Sequence, residues 1–537
     1  MSDLPSTLLW LATLLGSARL ARAQESSAPE GAQAHPLVEV ELDSGRVRGV
    51  LLEEASGQRV FRGIPYAAPP VGTLRWRPPQ PVEAWRGVLE ADQFGAACPQ
   101  SPLIAVLSGE PMPETDEDCL FVNVWTAAAS AEARLPVLVW IHGGGFVGGW
   151  AHQKTCDGRA LAARGVIFVS FNYRLGPLGF FAHPELSAEA GDDRSGNQGL
   201  LDQLAALAWV QRNIAAFGGD PARVTIFGES AGGTSVMALL ASPLAGGLFR
   251  AAIAQSPWLT GDNCAPLRAP NDASAEARGN SLARLLLGSA HEGPALPALR
   301  ATPADRLWQQ LGPAFQPALT IDAHFLTDFP ERIFLTGEQL DVPLIVGTTA
   351  DEGTAFTELL PWKSIAAFEQ GMDALYGPAA AEMLELYPVF EDGDARREVA
   401  RLITDAWFRL PVWAMLAGAA QVESRAWQYE FNVASRSAPL LGAHHAIEIP
   451  FLFGTLQGAT PAERELAEQM QAAWVRFAEH GDPNGESLPS WPANETEGQP
   501  YLELGLRAGL GRALAHESLA RHALRLAEQR AAALVQR

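Results

Sequence analysis

The chain has 537 residues, 47% of them hydrophobic and 19% charged, and 39 Lys plus Arg against 61 Asp plus Glu leave a net charge of −22. High apolar content with low charge density excludes disorder as the main state, and so negative a protein is repelled by nucleic acid and by anionic membrane surfaces. At roughly 150 residues per domain the length allows three or four domains, or one large α/β unit.

Residues 8–16 (LLWLATLLG) are too few to span a bilayer but match the core of a signal peptide. An A-x-A pattern follows at 21–23, although the first residues carry Asp3 and no Lys or Arg. Residues 1–23 therefore read as an export signal and 24–36 as a low-complexity linker. Export makes the protein secreted or periplasmic; if the leader is no signal, it is cytoplasmic. In an exported chain a Cys98–Cys119 disulfide closes a short loop, worth about 3 kcal/mol. Cys156 and Cys264 read as two buried thiols in preference to a second bridge, whose connectivity spacing alone does not assign. No C-x-x-C or H-E-x-x-H pattern supports a zinc site.

Short apolar runs at 137–141 (VLVWI), 166–171 (VIFVSF) and 224–227 (VTIF) predict buried strands, with an amphipathic helix over 199–217. Strand, helix, strand at this spacing predicts a parallel sheet with crossovers, hence an α/β fold. Further strands are expected at 342–347 and 427–433. Helices are expected at 276–287, 395–421 (bent at Pro411), 461–480 and 516–535. The last of these, with Arg521, Arg525 and Arg530, reads as a packed or solvated tail. No internal repeat or long linker interrupts residues 37–537, so they read as one domain.

Gly228-Glu229-Ser230-Ala231-Gly232-Gly233 directly follows the VTIF strand. G-x-S-x-G by itself arises by chance in a chain with 50 glycines. After a strand and before a helix it describes a sharp turn that exposes the serine, with glycines where a Cβ would collide. The same strand-to-loop logic applies to His142-Gly143-Gly144-Gly145-Phe146 after the VLVWI run. Three glycines in a row weaken any regular element, but they let bare N–H groups approach a ligand. With the Ala231 amide, Gly144 and Gly145 would donate to the oxyanion of an acyl-transfer reaction, each donor worth on the order of 3 kcal/mol. A phosphate loop is disfavoured because the Lys and Ser/Thr of a Walker motif are missing.

FRGIPYA (61–67), EDCLFVNVW (117–125), HGGGF (142–146), NYRLGPLGF (172–180), GNQGLLDQ (196–203), FGGDP (217–221), GESAGG (228–233) and GDPNG (481–485) occur in this order. From about residue 38 to 504 the chain resembles the type-B carboxylesterases, the cholinesterase-like branch of the α/β-hydrolases. The resemblance implies an α/β-hydrolase fold, a large mostly parallel twisted sheet flanked by helices. It also implies hydrolysis of carboxylic esters through an acyl-enzyme, with neither metal nor organic cofactor. The residues alone leave Asp351 and Glu352 equal as the acid; the family pattern matches Glu352 in GTTADEG (347–353). The pattern H-G-x-E-[IL] likewise selects His445 over His444, with Ala446 departing from the usual glycine. Ser230, Glu352 and His445 follow the α/β-hydrolase chain order. Activity is then expected to fall below about pH 6 as His445 gains a proton.

The likeness further implies that Glu229 lies beside the triad and that Ser256 bonds its acid, although Pro257 replaces the usual following glycine. It implies structural ion pairs Arg62–Glu117 and Arg174–Asp202. In cholinesterases the loop between the first two cysteines carries a tryptophan for the choline cation. Here residues 98–119 contain no aromatic residue, which disfavours acetylcholine as substrate. The stretch 102–107 (PLIAVL) either rims the pocket or packs on the body. Pocket walls are expected from 258–266, 315–329 and 356–362, and uncharged small-molecule esters follow as the default. Amides, lactones and carbamates are the alternatives, as is a catalytically silent binding domain of the kind this family includes. No oligomeric state follows from the sequence.

Overall fold

The computed structural model describes residues 37–191, 193–260, 263–269, 274–486, 488–494, 499–512 and 516–535. The leader and linker expected at 1–36 lie outside them. Fifteen strands occur in chain order: β1 (Leu37–Leu42), β2 (Gly45–Glu53), β3 (Gln58–Pro65), β4 (Val88–Glu90), β5 (Phe121–Thr126), β6 (Leu135–Ile141), β7 (Ile167–Phe171), β8 (Gly219–Glu229), β9 (Ala251–Gln255), β10 (Cys264–Pro266), β11 (Leu319–Ile321), β12 (Leu344–Thr349), β13 (Ala426–Phe431), β14 (Pro500–Leu504) and β15 (Gly509–Arg512). Thirteen of them form one sheet in the order β1-β2-β3-β5-β7-β6-β8-β9-β12-β13-β14-β15, with β4 beside β2. From β7 to β14 every neighbouring pair is parallel. The flanks, β1, β2, β3 and β5 at one edge and β15 at the other, pair antiparallel with their neighbours, while β4 runs parallel to β2.

The parallel strands are apolar on both faces because helices cover both. Leu138, Val139, Ile226, Phe227, Ile253, Ile345 and Val346 have no exposed surface. The helix Gln198–Asn213 with its 3-10 extension Ile214–Phe217 occupies the predicted helical span. The helix Pro461–His480 matches its expected bounds and starts on a capping box from Thr460 and Glu463. Strands β1 to β4 have no counterpart among the expected strands, although β3 holds most of the FRGIPYA stretch.

The segment 395–421 departs most from expectation. It is a helix Asp392–Ile403, a π-turn Thr404–Arg409 and a helix Leu410–Ala419. Pro411 has no N–H, which leaves the carbonyl four residues earlier without its helical donor. That carbonyl, on Trp407, accepts from the Leu259 amide at 3.0 Å instead.

Cys98 and Cys119 form a disulfide, whereas Cys156 and Cys264 are buried and not bridged. Arg174 and Asp202 make a fully buried fork, with Nε–Oδ2 at 2.8 Å and Nη2–Oδ1 at 2.7 Å. The expected Arg62–Glu117 pair is not formed. Arg75 takes Glu117, with Nε at 2.7 Å from Oε2, because the turn after Gly72–Leu74 points Arg75 at the disulfide loop. Arg62, on β3, donates to the Asp92 carbonyl at 3.0 Å and lies over the Phe94 ring. No helix among the described residues is long and apolar enough to cross a membrane.

Candidate active site

Strands β6, β8, β9, β12 and β13 are consecutive in the sheet, and the loops leaving their carboxyl ends carry every candidate residue. Ligands in open parallel sheets bind at this edge, where side chains from several loops converge. The glycines 143–145 follow β6, Ser230 follows β8, Ser256 follows β9, Glu352 follows β12 and His445 lies beyond β13.

Ser230 has φ 57° and ψ −121°, and the helix Ala231–Ala241 begins immediately after it. Such a conformation is strained for any side chain. It holds because the Ser230 amide donates to the Gln255 carbonyl at 3.0 Å, and because Gly232 lets the helix pass against β6. A Cβ on Gly232 would stand 2.0 Å from the Ile141 carbonyl oxygen. The helix start faces the serine, so its amide dipoles favour negative charge there.

Gly144 and Gly145 have φ of 109° and 62°, and no bond to another described residue occupies their amides. A Cβ on Gly144 would meet the Gly148 carbonyl at 2.1 Å and Ile104 Cγ1 at 3.1 Å. Ile104 belongs to the short helix Leu103–Ser108 in the disulfide loop. In that stretch Ala105 packs against Trp150, while Val106 and Leu107 are exposed.

The carboxylate that meets His445 is Glu352, its Oε2 2.6 Å from Nδ1. Its other oxygen accepts from Ser256 Oγ at 2.5 Å and from the Thr349 amide at 2.8 Å. Asp351 instead turns away and accepts from the Ala443 amide at 2.8 Å, and His444 Nδ1 faces the His445 carbonyl. Ala446 takes φ 65°, so the loop keeps a left-handed shape with alanine where glycine is usual in the family pattern. Ser256, ahead of Pro257, also has a positive φ of 46°.

Nε2 of His445 lies 3.1 Å from Glu229 Oε1, at an angle that is not that of a hydrogen bond. It makes no hydrogen bond to Ser230 Oγ. Burial opposes a charged imidazole, but Glu229 and Glu352 outweigh it and hold His445 up at about 9. The base form is therefore lost at higher pH than in a free imidazole, and above the value of about 6 expected from sequence. Burial and the Glu352 charge push Glu229 up to about 7, against the opposing pull of His445.

Three further residues contribute, of which only Glu448, the Glu of the H-G-x-E pattern, belongs to a motif. Phe356 and Phe408 place their rings 5.0 and 4.8 Å from the His445 ring and 5.5 Å from each other. Of these, Phe356 lies in a stretch expected to line the pocket, and Phe408 in a predicted continuous helix. Glu448, used only to set the register of His445, is fully buried and accepts from Gln255 Nε2 at 3.2 Å. Burial and the neighbouring Glu229 and Glu352 push it up to about 8. Only its buried position, invisible in a short motif, would have marked it.

A serine exposed at a strand-to-helix elbow above a doubly covered parallel sheet is the arrangement of the α/β-hydrolases. Within that class the chain belongs to the carboxylesterase family, whose model, the Carboxylesterase family, matches residues 34–522. It is 38% identical over 485 residues to fumonisin B1 esterase of Sphingopyxis macrogoltabida, covering 88% of this chain and 87% of that protein. It is 39% identical over 481 residues to para-nitrobenzyl esterase of Bacillus subtilis (strain 168), covering 86% of this chain and 93% of that protein. A solved structure of PNB esterase superposes with a TM-score of 0.76 at 34% identity, over 90% of this chain and 99% of that one. The protein is a carboxylic ester hydrolase.

Proposed function

We propose that this esterase works through Ser230 as nucleophile, His445 as general base and acid, and Glu352 as the carboxylate that fixes and charges-balances the imidazole. The observation that carries this reading is the 2.6 Å contact between His445 Nδ1 and Glu352, at a sheet edge shared with the strained Ser230. Ser230 Oγ attacks the ester carbonyl as Nε2 takes its proton. The amides of Gly144, Gly145 and Ala231 receive the negative charge that develops on oxygen. His445 then protonates the departing alcohol, and water repeats the sequence on the acyl-enzyme. Contacts of this kind tighten in the substrate complex, which accounts for the missing Ser230–His445 bond. Ser256 holds the acid in line, and Glu229 stabilises the imidazolium.

Uncharged carboxylic esters of small molecules suit the aromatic wall of Phe356, Trp407 and Phe408. Labelling by a fluorophosphonate tests the nucleophile: the folded protein is expected to react once, and Ser230→Ala not at all. A series of p-nitrophenyl esters of increasing acyl length, set against matched amides, tests the class. Faster cleavage of amides would refute it.

Removing the Glu229 charge in Glu229→Gln leaves the His445 cation with less support. The acid limb of the kcat/KM profile is expected to move down by roughly one pH unit. A limb that stays in place or moves up would show that Glu229 does not act on His445. Residues 37–537 form one catalytic unit on this reading, and 1–23 an export signal. Mass spectrometry of protein from its host is expected to find a mature chain starting near Gln24; an intact Met1 would mean that it is retained.

A further inference from the structure

The π-turn Thr404–Arg409 is tied at nearly every residue, and the ties converge on the active site. Thr404 Oγ1 accepts from the Gly353 amide at 2.9 Å, next to Glu352. Trp407 holds the Leu259 amide, and Phe408 lies against His445. Arg409 bridges Asp405 at 2.9 Å and Glu430 on β13 at 2.5 Å. Inserted turns of this type occur mostly where a protein must aim a side chain.

The remaining anchor is Asp405, and it is held from the C-terminal helix His516–Val535. Asp405 Oδ2 accepts from Ser518 Oγ at 2.9 Å and from Tyr387 Oη at 3.0 Å. Tyr387 Oη is also 2.7 Å from His522 Nε2, and Tyr376 Oη is 3.3 Å from His522 Nδ1. Proton counting assigns the directions. Tyr387 has one hydroxyl proton and gives it to the carboxylate, so His522 must donate from Nε2, and because burial disfavours a second ring proton Nδ1 accepts from Tyr376. That is a neutral imidazole, in keeping with its 3% exposure and with burial pushing it down to about 4. The final helix is thus packed, as one of the two readings had it, with Leu519 and His522 buried, and it completes a polar chain with a defined direction.

We propose that His522 is a positioning residue for the esterase site: through the His522–Tyr387–Asp405 relay the C-terminal helix sets the π-turn that presses Phe408 against His445. The inference rests on the roles of Ser230 and His445 given above. Breaking the relay lets the histidine ring leave its productive orientation, and small misplacements of a catalytic group are costly in rate.

The test uses the full chain and counts competent sites by fluorophosphonate titration before any rate is compared. His522→Ala and Tyr387→Phe are each expected to lower kcat per titrated site about ten-fold on p-nitrophenyl acetate, with KM little changed. His522→Gln, whose amide N–H reaches the place of Nε2–H, should recover part of the loss. In a Phe408→Ala background His522→Ala should add little, because coupled residues are not additive. If His522→Ala does not fold, Tyr387→Phe, which keeps the ring, carries the test. Fewer titratable sites with unchanged kcat per site, or a loss confined to KM, would overturn the proposal and leave the esterase reading intact. Absence of labelling in the wild-type protein would instead overturn that reading.

Discussion

Ser230→Ala is expected to lower kcat on an activated ester on the order of 10⁶-fold. On the proposed roles the loss is so large because His445, Glu352 and Glu229 have nothing to act on once the attacking oxygen is gone. The amides at Gly144, Gly145 and Ala231 stay in place, so a residue of hydrolysis above the uncatalysed rate should persist. Folding should be unaffected: Ser230 Oγ anchors nothing, and alanine at φ 57° bears the same backbone strain as serine. Urea midpoints of the two proteins should therefore coincide while their rates separate. A fall of less than about 100-fold, with fluorophosphonate still incorporated, would require another nucleophile.

The second large effect concerns the fold. Arg174→Met should destabilise the protein by about 3–5 kcal/mol, because it strands a buried carboxylate. Asp202 has no exposed surface, and burial already raises its pKa against the opposing pull of Arg174. The guanidinium also ties the chain after β7 to the helix Gln198–Asn213 through its fork on Asp202, whereas the backbone amide of residue 174, 3.0 Å from Asp202 Oδ2, survives the substitution. Combining Arg174→Met with Asp202→Leu should regain much of the loss, as apolar replacements of buried pairs often do. Chemical denaturation of the three variants measures both steps. If the double variant is as unstable as the single one, the pair matters through its geometry and not its charge.

Backbone necessity is what sequence displayed best. Gly232, with its missing Cβ beside the Ile141 carbonyl, and the glycines at 143–145 are demanded by close approach, so their spacing alone located the strand ends. Carboxylates were harder. Asp351 and Glu352 are adjacent, both after an apolar strand, and what separates them is that Ser256 and Thr349 reach only the second. The likeness points to Arg62 as the partner of Glu117, but five arginines from Arg59 to Arg86 precede the disulfide loop and only the fold selects Arg75. Apolar periodicity over six residues cannot separate a π-turn from an α-turn, so Phe408 stayed hidden inside an expected helix. The sheet edge β1 to β4 is partly exposed, and its alternation is too weak to stand out.

The glycine packing around Ser230 has a consequence for how such an enzyme changes its diet over generations. A Cβ at Gly143 would stand 2.7 Å from the Glu229 carbonyl, and one at Gly233 2.4 Å from the Gln255 carbonyl. Mutation has almost no freedom within this inner ring. Novelty in substrate range has more room at the exposed Val106 and Leu107 of the disulfide loop. A library confined to those two residues should yield altered ester preference with few dead clones, whereas randomising the elbow should yield mostly dead ones.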